Sequence, residues 1–441
     1  MKQTMIFLST IAAVLCLIPG CKQEKAIEIP ISIQNGYGPF KLGLGGVAPD
    51  SEDENNLWKK TYLQVKGIPE EWTDAKKGDI NVNIYQTVYQ NYLQGNISQE
   101  EYEELQKTWN WIPDTLNLSK APLKCKIAFA FGKDAAGEIR MVVDANNNLD
   151  FGDDAIFSPL EFDINGNLND SIASNNLIPV TYERLSNNRI VRENTALFIV
   201  YVPSYKLWMC NFSQYAGATF KGKEFAISSG GFTNLSYNKT GLVLMNDSLK
   251  DGEKVLRDDM ISENEYLALE DGVYKYKGVN MNRNVMLLEK INLPKNQLYS
   301  TQTGFKAIPF EGSDFKSKTS ITLDNYNGKY LLIDFWAVWC GPCVQELPNL
   351  KTMYENMDKS KVEVIGIVGD SQPDALEKMI EQYGITWPQI LSDETSNIKQ
   401  KYNVNGYPST FLIDPAGIII AKNLRGKELE NKINELKINI R

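Results

Sequence analysis

The feature that most constrains the fold is the stretch of residues 331–343, with the sequence LLIDFWAVWCGPC. Its apolar first half predicts a buried strand, and Cys340 stands where that strand should end and a helix begin. Backbone N–H groups and the positive end of a helix stabilise a thiolate at such a position. Cys343 follows three residues later on the same helix face, and Pro342 suits a first helical turn because its missing N–H costs little there. The stretch therefore predicts a strand, a helix and a reactive dithiol at their junction.

The composition excludes several other chemistries. The 441 residues include no histidine, which removes His-ligated zinc, the Ser-His-Asp triad and the Cys-His pair. A zinc knuckle built on Cys340 and Cys343 would need two further ligands, and Cys125 and Cys210 stand alone in the sequence. The 46 Lys and Arg residues against 55 Asp and Glu residues give a net charge of −9, which argues against non-specific nucleic-acid binding.

The C-terminal third contains three further segments beside the dithiol motif WCGPC at residues 339–343. They are FKAIPF at 305–310, NGKYLL at 327–332 and YPSTFLID at 407–414. Together they resemble the thioredoxin superfamily, and residues 303–441 are similar to its exported, membrane-anchored branch, the TlpA/ResA-like proteins. The resemblance implies an α/β thioredoxin-like domain with a central sheet flanked by helices. It also implies a thiol–disulfide oxidoreductase that needs no cofactor beyond its redox-active disulfide.

The same resemblance suggests catalytic roles around the dithiol. Cys340 is expected to attack a substrate disulfide, and Cys343 to resolve the mixed disulfide that forms. Asp334 lies within the apolar strand, where burial raises a carboxyl pKa, and is expected to relay the proton of Cys343; the alternative is a partly solvated carboxylate at a strand end. Glu346 has the offset of a cleft Glu in ResA-like proteins, and the alternative is a solvated helix residue. Many exported relatives have Asn where Asp334 stands, so the division of labour between the two carboxylates stays open.

Three residues are expected to bind the substrate. Pro408 corresponds to the cis-proline of the family, which places the preceding backbone where an extended substrate chain hydrogen-bonds like an added strand. Tyr407 precedes it and is bulkier than most residues at that position, which is expected to narrow the substrate range. Trp339 is expected to form part of the cleft wall.

The first 21 residues resemble a targeting segment. Residues 5–18 are an almost unbroken apolar run, too short to span a bilayer as a helix but typical of a signal-peptide core. The following LIPGC at 17–21 resembles a bacterial lipobox, which implies cleavage of residues 1–20 and lipidation of Cys21. A plain secretory signal is the alternative. We therefore expect a protein of the cell envelope, lipid-anchored and facing the periplasm, with the choice of inner or outer membrane open.

Hydrophobic patterning divides the rest of the chain. Residues 21–48 are expected to hold the lipid anchor, a tether and a first strand, and residues 49–120 a helical segment. Residues 121–302 show short β runs separated by Asn, Gly and Asp turns, which predicts a β-rich accessory module. The part before residue 303 is thus expected to be an α+β, β-rich N-terminal module. Cys125 and Cys210 lie in strand-like stretches, and the sequence leaves open whether they pair or stay free.

One segment of the module resembles a calcium loop. Residues 144–154, DANNNLDFGDD, place oxygen-bearing side chains at every second position, with Asp144, Asn146, Asn148 and Asp150 as candidate ligands. Leu149 stands where such loops have glycine, and position twelve is Ala155 rather than a bidentate Glu. A polar turn is the alternative.

These features predict an exported, lipid-anchored thiol–disulfide oxidoreductase that reduces disulfides of envelope proteins and is recharged by a membrane electron donor. Assistance to cytochrome c maturation is one use among several. An oxidase or isomerase of the same fold is the first alternative. A thiol peroxidase would need Thr or Ser three residues before the reactive Cys, where Ala337 stands. A third alternative is a lipoprotein whose β-rich module binds a surface ligand, with a secondary redox domain.

Overall fold

The computed structural model describes residues 26–436 except for residues 164–167, 231, 256–258, 394–395 and 405. The predicted signal peptide and the predicted lipidation residue Cys21 lie outside the described residues. Within the described part of the chain, no helix is both long and apolar enough to cross a membrane. The chain forms a β-rich N-terminal module followed by an α/β C-terminal domain.

The N-terminal module consists mainly of strands. In chain order they are β1 (Ile27–Asn35), β2 (Gly45–Val47), β3 (Thr73–Asn81), β4 (Lys126–Lys133), β5 (Ile139–Val143), β6 (Leu160–Glu161), β7 (Leu177–Ser186), β8 (Arg189–Val202), β9 (Leu207–Phe212), β10 (Gln214–Phe220), β11 (Lys223–Ser228), β12 (Gly241–Leu244), β13 (Ile261–Ser262), β14 (Tyr266–Leu269), β15 (Gly272–Asn280) and β16 (Val285–Ile291). Its helices are α1 (Ile84–Leu93), α2 (Gln99–Thr108), α3 (Asp170–Ser174) and α4 (Asp247–Lys250).

The strands of the module pair mostly antiparallel. One sheet has the order β13-β12-β11-β10-β1-β16-β15-β14, another has β2-β9-β8-β6 with β7 beside β8, and a third has β3-β4-β5. The two edge strands of the first sheet, β13 and β14, are joined by residues 263–265 alone, so this sheet curls until its edges approach each other. The side chains that this sheet buries in its core include Tyr274, Tyr276, Met286 and Leu288.

The segment predicted to be helical, residues 49–120, is helical only in part. α2 begins at the expected capping box, in which Ser98 and Glu101 exchange side-chain and backbone hydrogen bonds. The prediction fails at β3, which pairs antiparallel with β4 and sets Ile80 opposite Ile127. Both isoleucines are buried in the same core cluster, so pairing with a distant strand decides the conformation there.

Cys125 and Cys210 are free thiols, and both are buried in the module. Burial raises the pKa of Cys125 to about 11 and that of Cys210 to about 12. Of the two possibilities that the sequence left open, the structure therefore has the unpaired one, with thiols that stay protonated at neutral pH and are poor nucleophiles.

The C-terminal domain alternates strands and helices. Its strands are β17 (Glu311–Ser313), β18 (Ser320–Thr322), β19 (Tyr330–Trp336), β20 (Val362–Val368), β21 (Gln389–Leu391), β22 (Ser409–Ile413) and β23 (Ile419–Lys422). Its helices are α5 (Gly341–Glu355), α6 (Pro373–Tyr383), α7 (Ile398–Lys401) and α8 (Gly426–Glu435).

The main sheet of this domain has the order β21-β20-β19-β22-β23 and places β19 at its centre. β19 runs parallel to β20 and antiparallel to β22. Successive side chains of a strand point to opposite faces, so Leu332 and Trp336 enter one core cluster while Ile333 and Phe335 enter the other. The buried central strand and the flanking helices are the α/β arrangement that the sequence predicted.

The junction between module and domain is packed and hydrogen-bonded. Phe305 is buried and its ring stacks on Tyr266 with the ring centroids 5.2 Å apart. Lys306 forms isolated bridges with Tyr299 on one side and Ile418 on the other, and the N–H of Gly304 donates to the carbonyl of Ile419. The domain is therefore attached to the module through a packed and hydrogen-bonded segment, residues 304–307.

Candidate active site

The dithiol lies where the central strand passes into α5. Cys340 is the N-cap of that helix, its Sγ accepts a hydrogen bond from the N–H of Cys343 at 3.3 Å, and the two cysteines form a disulfide with their Cα atoms 5.2 Å apart. Both residues are buried. An N-cap sulfur faces unsatisfied backbone N–H groups, which favour the thiolate once the disulfide is reduced. The local geometry is thus the one expected from the sequence.

Asp334 lies in the middle of β19, between Gly366 of β20 and Thr410 of β22. Some of its surface is accessible, but protein surrounds the carboxyl group. Desolvation by burial raises the pKa of Asp334 to about 7, against the opposing effect of Arg425 and with a smaller contribution from Glu346. A carboxyl group with this pKa can accept or release a proton near neutral pH.

Glu346 is partly buried on α5 and has a specific partner. Its Oε1 accepts a hydrogen bond of 2.9 Å from the N–H of Gly426, the first residue of α8. The carboxylate therefore satisfies a free donor at a helix N-terminus, where a negative charge is favourable. Glu346 is therefore not the freely solvated helix residue of the alternative interpretation, and its role as a cleft carboxylate stays a prediction.

Arg425 is a residue that the sequence analysis missed. It is the N-cap of α8, and its guanidinium donates a hydrogen bond to the carbonyl oxygen of Pro408. It is also the positive charge that acts on Asp334. Apart from an Arg-Gly pair before an amphipathic final helix, the sequence carries no local signal of these contacts.

The peptide bond between Tyr407 and Pro408 is cis. The Tyr407 hydroxyl donates to Asp370 Oδ2 at 3.0 Å, and its ring meets the ring of Trp339 edge-on with the centroids 5.9 Å apart. Trp339 is exposed, and its indole N–H donates to the carbonyl of Asp370 at 2.8 Å. The three residues predicted to bind the substrate are therefore adjacent.

Asp370 connects this aromatic pair to a cation. Lys399 Nζ lies 2.5 Å from Asp370 Oδ2, and this contact is the main cause that lowers the pKa of Asp370. Burial, followed by the hydrogen bond to Asp370, raises the pKa of Tyr407, so its hydroxyl stays protonated. Asp370 lies just after β20 and Lys399 lies in α7, and no motif in the sequence pointed to either residue.

The candidate calcium ligands lie in the N-terminal module, and several already have protein partners. The Asp144 carboxylate accepts hydrogen bonds from the N–H groups of Asn148 and Leu149, at 2.9 and 2.8 Å. The side-chain amides of Asn146 and Asn148 donate to Asp153. A further partner is Lys66, whose Nζ lies 3.0 Å from the Asp150 carboxylate. Among the described residues, no group of three or more Cys, Asp or Glu side chains is arranged to hold a metal ion.

Comparisons with known proteins place this site in a family. The AhpC/TSA family model matches residues 303–422. The thiol-disulfide oxidoreductase ResA of Geobacillus kaustophilus is 32% identical over 118 residues, which is 26% of this chain and 67% of that protein. The ResA protein of Bacillus subtilis is 32% identical over 137 residues, which is 31% of this chain and 74% of that protein.

Among solved structures, the thioredoxin domain of a thiol-disulfide oxidoreductase from Bacteroides vulgatus is similar, with 31% identity and a TM-score of 0.30. The similarity covers 31% of this chain and 99% of that one. The sequence relatives carry the assignment, since the two ResA proteins are 32% identical and are matched over 67% and 74% of their length. The chain therefore belongs to the family of ResA-type thiol-disulfide oxidoreductases, and its C-terminal third is the thioredoxin-like domain that it shares with them.

Proposed function

We propose that this protein reduces disulfides of exported proteins through Cys340 and Cys343. The Cys340 thiolate attacks one sulfur of the substrate disulfide and releases the other as a thiolate, which takes up a proton. Cys343 then attacks Cys340 Sγ and expels the second substrate sulfur, leaving the Cys340–Cys343 disulfide. The substrate gains two electrons and the dithiol loses two. The observation that carries this proposal is the position of Cys340 as the N-cap of α5, in a disulfide with Cys343 of the first helical turn.

Asp334 is the proposed acceptor of the Cys343 proton. Only a thiolate attacks a disulfide, so the second step needs a base beside Cys343. A pKa of about 7 leaves Asp334 partly ionised at neutral pH and able to pass the proton on. The negative charge of Glu346 contributes to the raised pKa of Asp334, so Glu346 is proposed to tune this proton transfer.

The backbone before cis-Pro408 is the proposed docking edge for the substrate. An extended peptide adds there as a further strand, while Trp339 and Tyr407 form one wall beside it. Asp370 fixes that wall through hydrogen bonds from both aromatic side chains. Because two hydrogen bonds hold this wall in place, the cleft is expected to favour substrates whose cysteine lies in an accessible, extended segment.

The direction of electron flow is tested by the reduction potential of the Cys340–Cys343 couple. A value near or below about −250 mV, close to that of thioredoxin, supports a reductase. A value near about −120 mV, like that of a strong periplasmic oxidant, would make the protein an oxidase or isomerase that uses the same residues. Equilibration with glutathione or dithiothreitol buffers, read by alkylation of free thiols, gives the value.

We also propose that the chain is lipidated at Cys21 and faces the periplasm, where disulfide-bearing envelope proteins are its substrates. A membrane electron donor then has to restore the dithiol after each turnover, and cytochrome c maturation is one process that would use it. The LIPGC segment supports the anchor. Metabolic labelling with a palmitate analogue tests it: the label is expected on the native chain, and labelling of a Cys21→Ser variant would refute the site.

The calcium site at residues 144–154 stays a prediction. In its support, the side-chain oxygens Asn146 Oδ1 and Asp154 Oδ2 are buried and have no hydrogen-bond partner among the described residues. A calcium titration followed by the melting temperature tests the prediction. We expect stabilisation of the native chain and none in an Asp144→Asn variant, and no response in the native chain would refute it.

A further inference from the structure

We propose that Arg425 is a positioning residue of the redox site: it holds the cis-Pro408 loop through the Pro408 carbonyl oxygen and supplies the positive charge that acts on the carboxylate of Asp334. This inference rests on the proposed role of Asp334 as the proton acceptor. It adds to the redox site the N-cap residue of the last helix, which lies some 80 positions after the dithiol in the sequence.

The path of the chain fixes where Arg425 lies. After β23, the N–H of Asn423 donates to the carbonyl of Thr410 at 2.8 Å, and the hydroxyl of Thr410 donates to the carbonyl of Leu424 at 2.9 Å. Thr410 belongs to β22, two residues after Pro408. These two bonds tie residues 423–424 to β22, so Arg425 is set beside the cis-proline loop and its guanidinium bonds the Pro408 carbonyl.

The next residue completes the arrangement. Gly426 donates its N–H to Glu346 at 2.9 Å, so consecutive residues at the start of α8 contact the cis-proline loop and the dithiol helix. One short segment therefore connects the docking edge, the helix that carries Cys343 and the charge environment of Asp334.

The charges around Asp334 come from few elements. The neighbouring strands contribute Gly366 and Thr410, which carry none. α5 contributes Glu346, which raises the pKa of Asp334, and the residue before α8 contributes Arg425, which lowers it. Burial acts in the same direction as Glu346 and is the largest influence. Arg425 is thus the charge that opposes this rise, so that part of the Asp334 population is ionised and able to accept a proton near pH 7.

The test is the pH dependence of insulin disulfide reduction by the complete chain, with dithiothreitol as electron donor. Arg425→Gln is expected to lose activity severalfold near pH 7 and to recover it in more alkaline buffer, because Asp334 then ionises only at higher pH. Arg425→Lys is expected to restore most of the pH profile. Lys427→Gln removes the same charge two residues further along α8, where Lys427 pairs with Glu430, and should leave the profile unchanged.

A double variant separates this inference from the proposed function. In an Asp334→Asn background, Arg425→Gln should no longer shift the pH midpoint. Suppose that Asp334→Asn changes the pH profile of insulin reduction. If the pH midpoint of Arg425→Gln then equals that of the native chain, the inference about Arg425 is overturned while the proposed proton acceptor stands. If Asp334→Asn itself leaves the profile unchanged, the proposed proton acceptor is wrong and the charge role of Arg425 fails with it. A shift that persists when both substitutions are present would also overturn the inference.

Discussion

The hydroxyl group of Tyr407 occupies the space that a side chain on Gly369 would need. A Cβ atom built on Gly369 would meet the tyrosine oxygen well inside contact distance and the ring carbon Cζ at 3.0 Å. Gly369 immediately precedes Asp370, which accepts the hydrogen bond from that hydroxyl. The absence of a side chain at 369 therefore allows the residue before cis-Pro408 to be locked in place.

Gly369→Ala is expected to displace Tyr407, break its bond to Asp370 and lower the free energy of unfolding by about 1–2 kcal/mol. Urea denaturation measures the change. Tyr407→Phe removes the clashing oxygen, so the alanine should cost less in that background than in the native chain. Gly46→Ala is the control, because its new methyl group would lie at an ordinary van der Waals distance, 3.9 Å, from the side chain of Leu207. Equal costs in both backgrounds would contradict the steric explanation.

Asp334→Asn is expected to stabilise the protein in alkaline buffer. The folded-state pKa of about 7 lies above the unfolded value of about 3.9, so the folded protein binds the extra proton between those pH values. The free energy of unfolding should then fall as pH rises from about 4 to about 7, and this loss, on the order of 3 kcal/mol, should be absent in the variant.

Urea titrations of the oxidised protein across this pH range check that prediction. The exposed carboxylate Glu381, replaced by Gln, serves as the control and should follow the native chain. Identical slopes for the native chain and Asp334→Asn would mean that the raised pKa does not exist in the folded protein.

Cys343→Ser is expected to trap substrates as mixed disulfides with Cys340, because the second sulfur that would release them is missing. Non-reducing gels of envelope fractions should show the variant in adducts that reducing agent dissolves. Cys340→Ser is the matched control. Its remaining thiol, Cys343, lies inside α5 and not at the N-cap position. Adducts as abundant with Cys340→Ser as with Cys343→Ser would contradict the proposed order of attack.

Phe305→Ala is expected to loosen the junction between module and domain. The ring is buried and packs with Tyr266, Val273 and Leu298, so its removal should cost about 3–5 kcal/mol. Differential scanning calorimetry should resolve separate transitions for the two parts, together with faster proteolysis near residue 303. Leu293→Ala, at an exposed position nearby in sequence, should change neither; a single unshifted transition in Phe305→Ala would contradict the role of the junction.

The parts of the site that sequence predicts are those fixed by neighbours along the chain. The strand, the N-cap Cys340 and the helix that follows are determined within a dozen residues, and the expected geometry is present. Arg425 and Asp370 were missed because their roles depend on how distant segments pack. β3 was missed for the same reason, since Ile80 is buried only through its pairing with β4. The local sequence pattern thus predicted the two reacting cysteines but not the distant residues, Arg425 and Asp370, that contact the surrounding cleft.

The hydrogen-bonded segment at residues 304–307 bears on which substrate disulfides the dithiol can reach. A redox domain on a flexible linker could reach cysteines at many distances and angles from the module. The packing of Phe305 and the bridges of Lys306 are expected to restrict this domain to a narrow range of orientations. A substrate protein then has to bring its disulfide to a cleft of restricted orientation. The β-rich module would block some directions of approach and so limit which substrates are reduced.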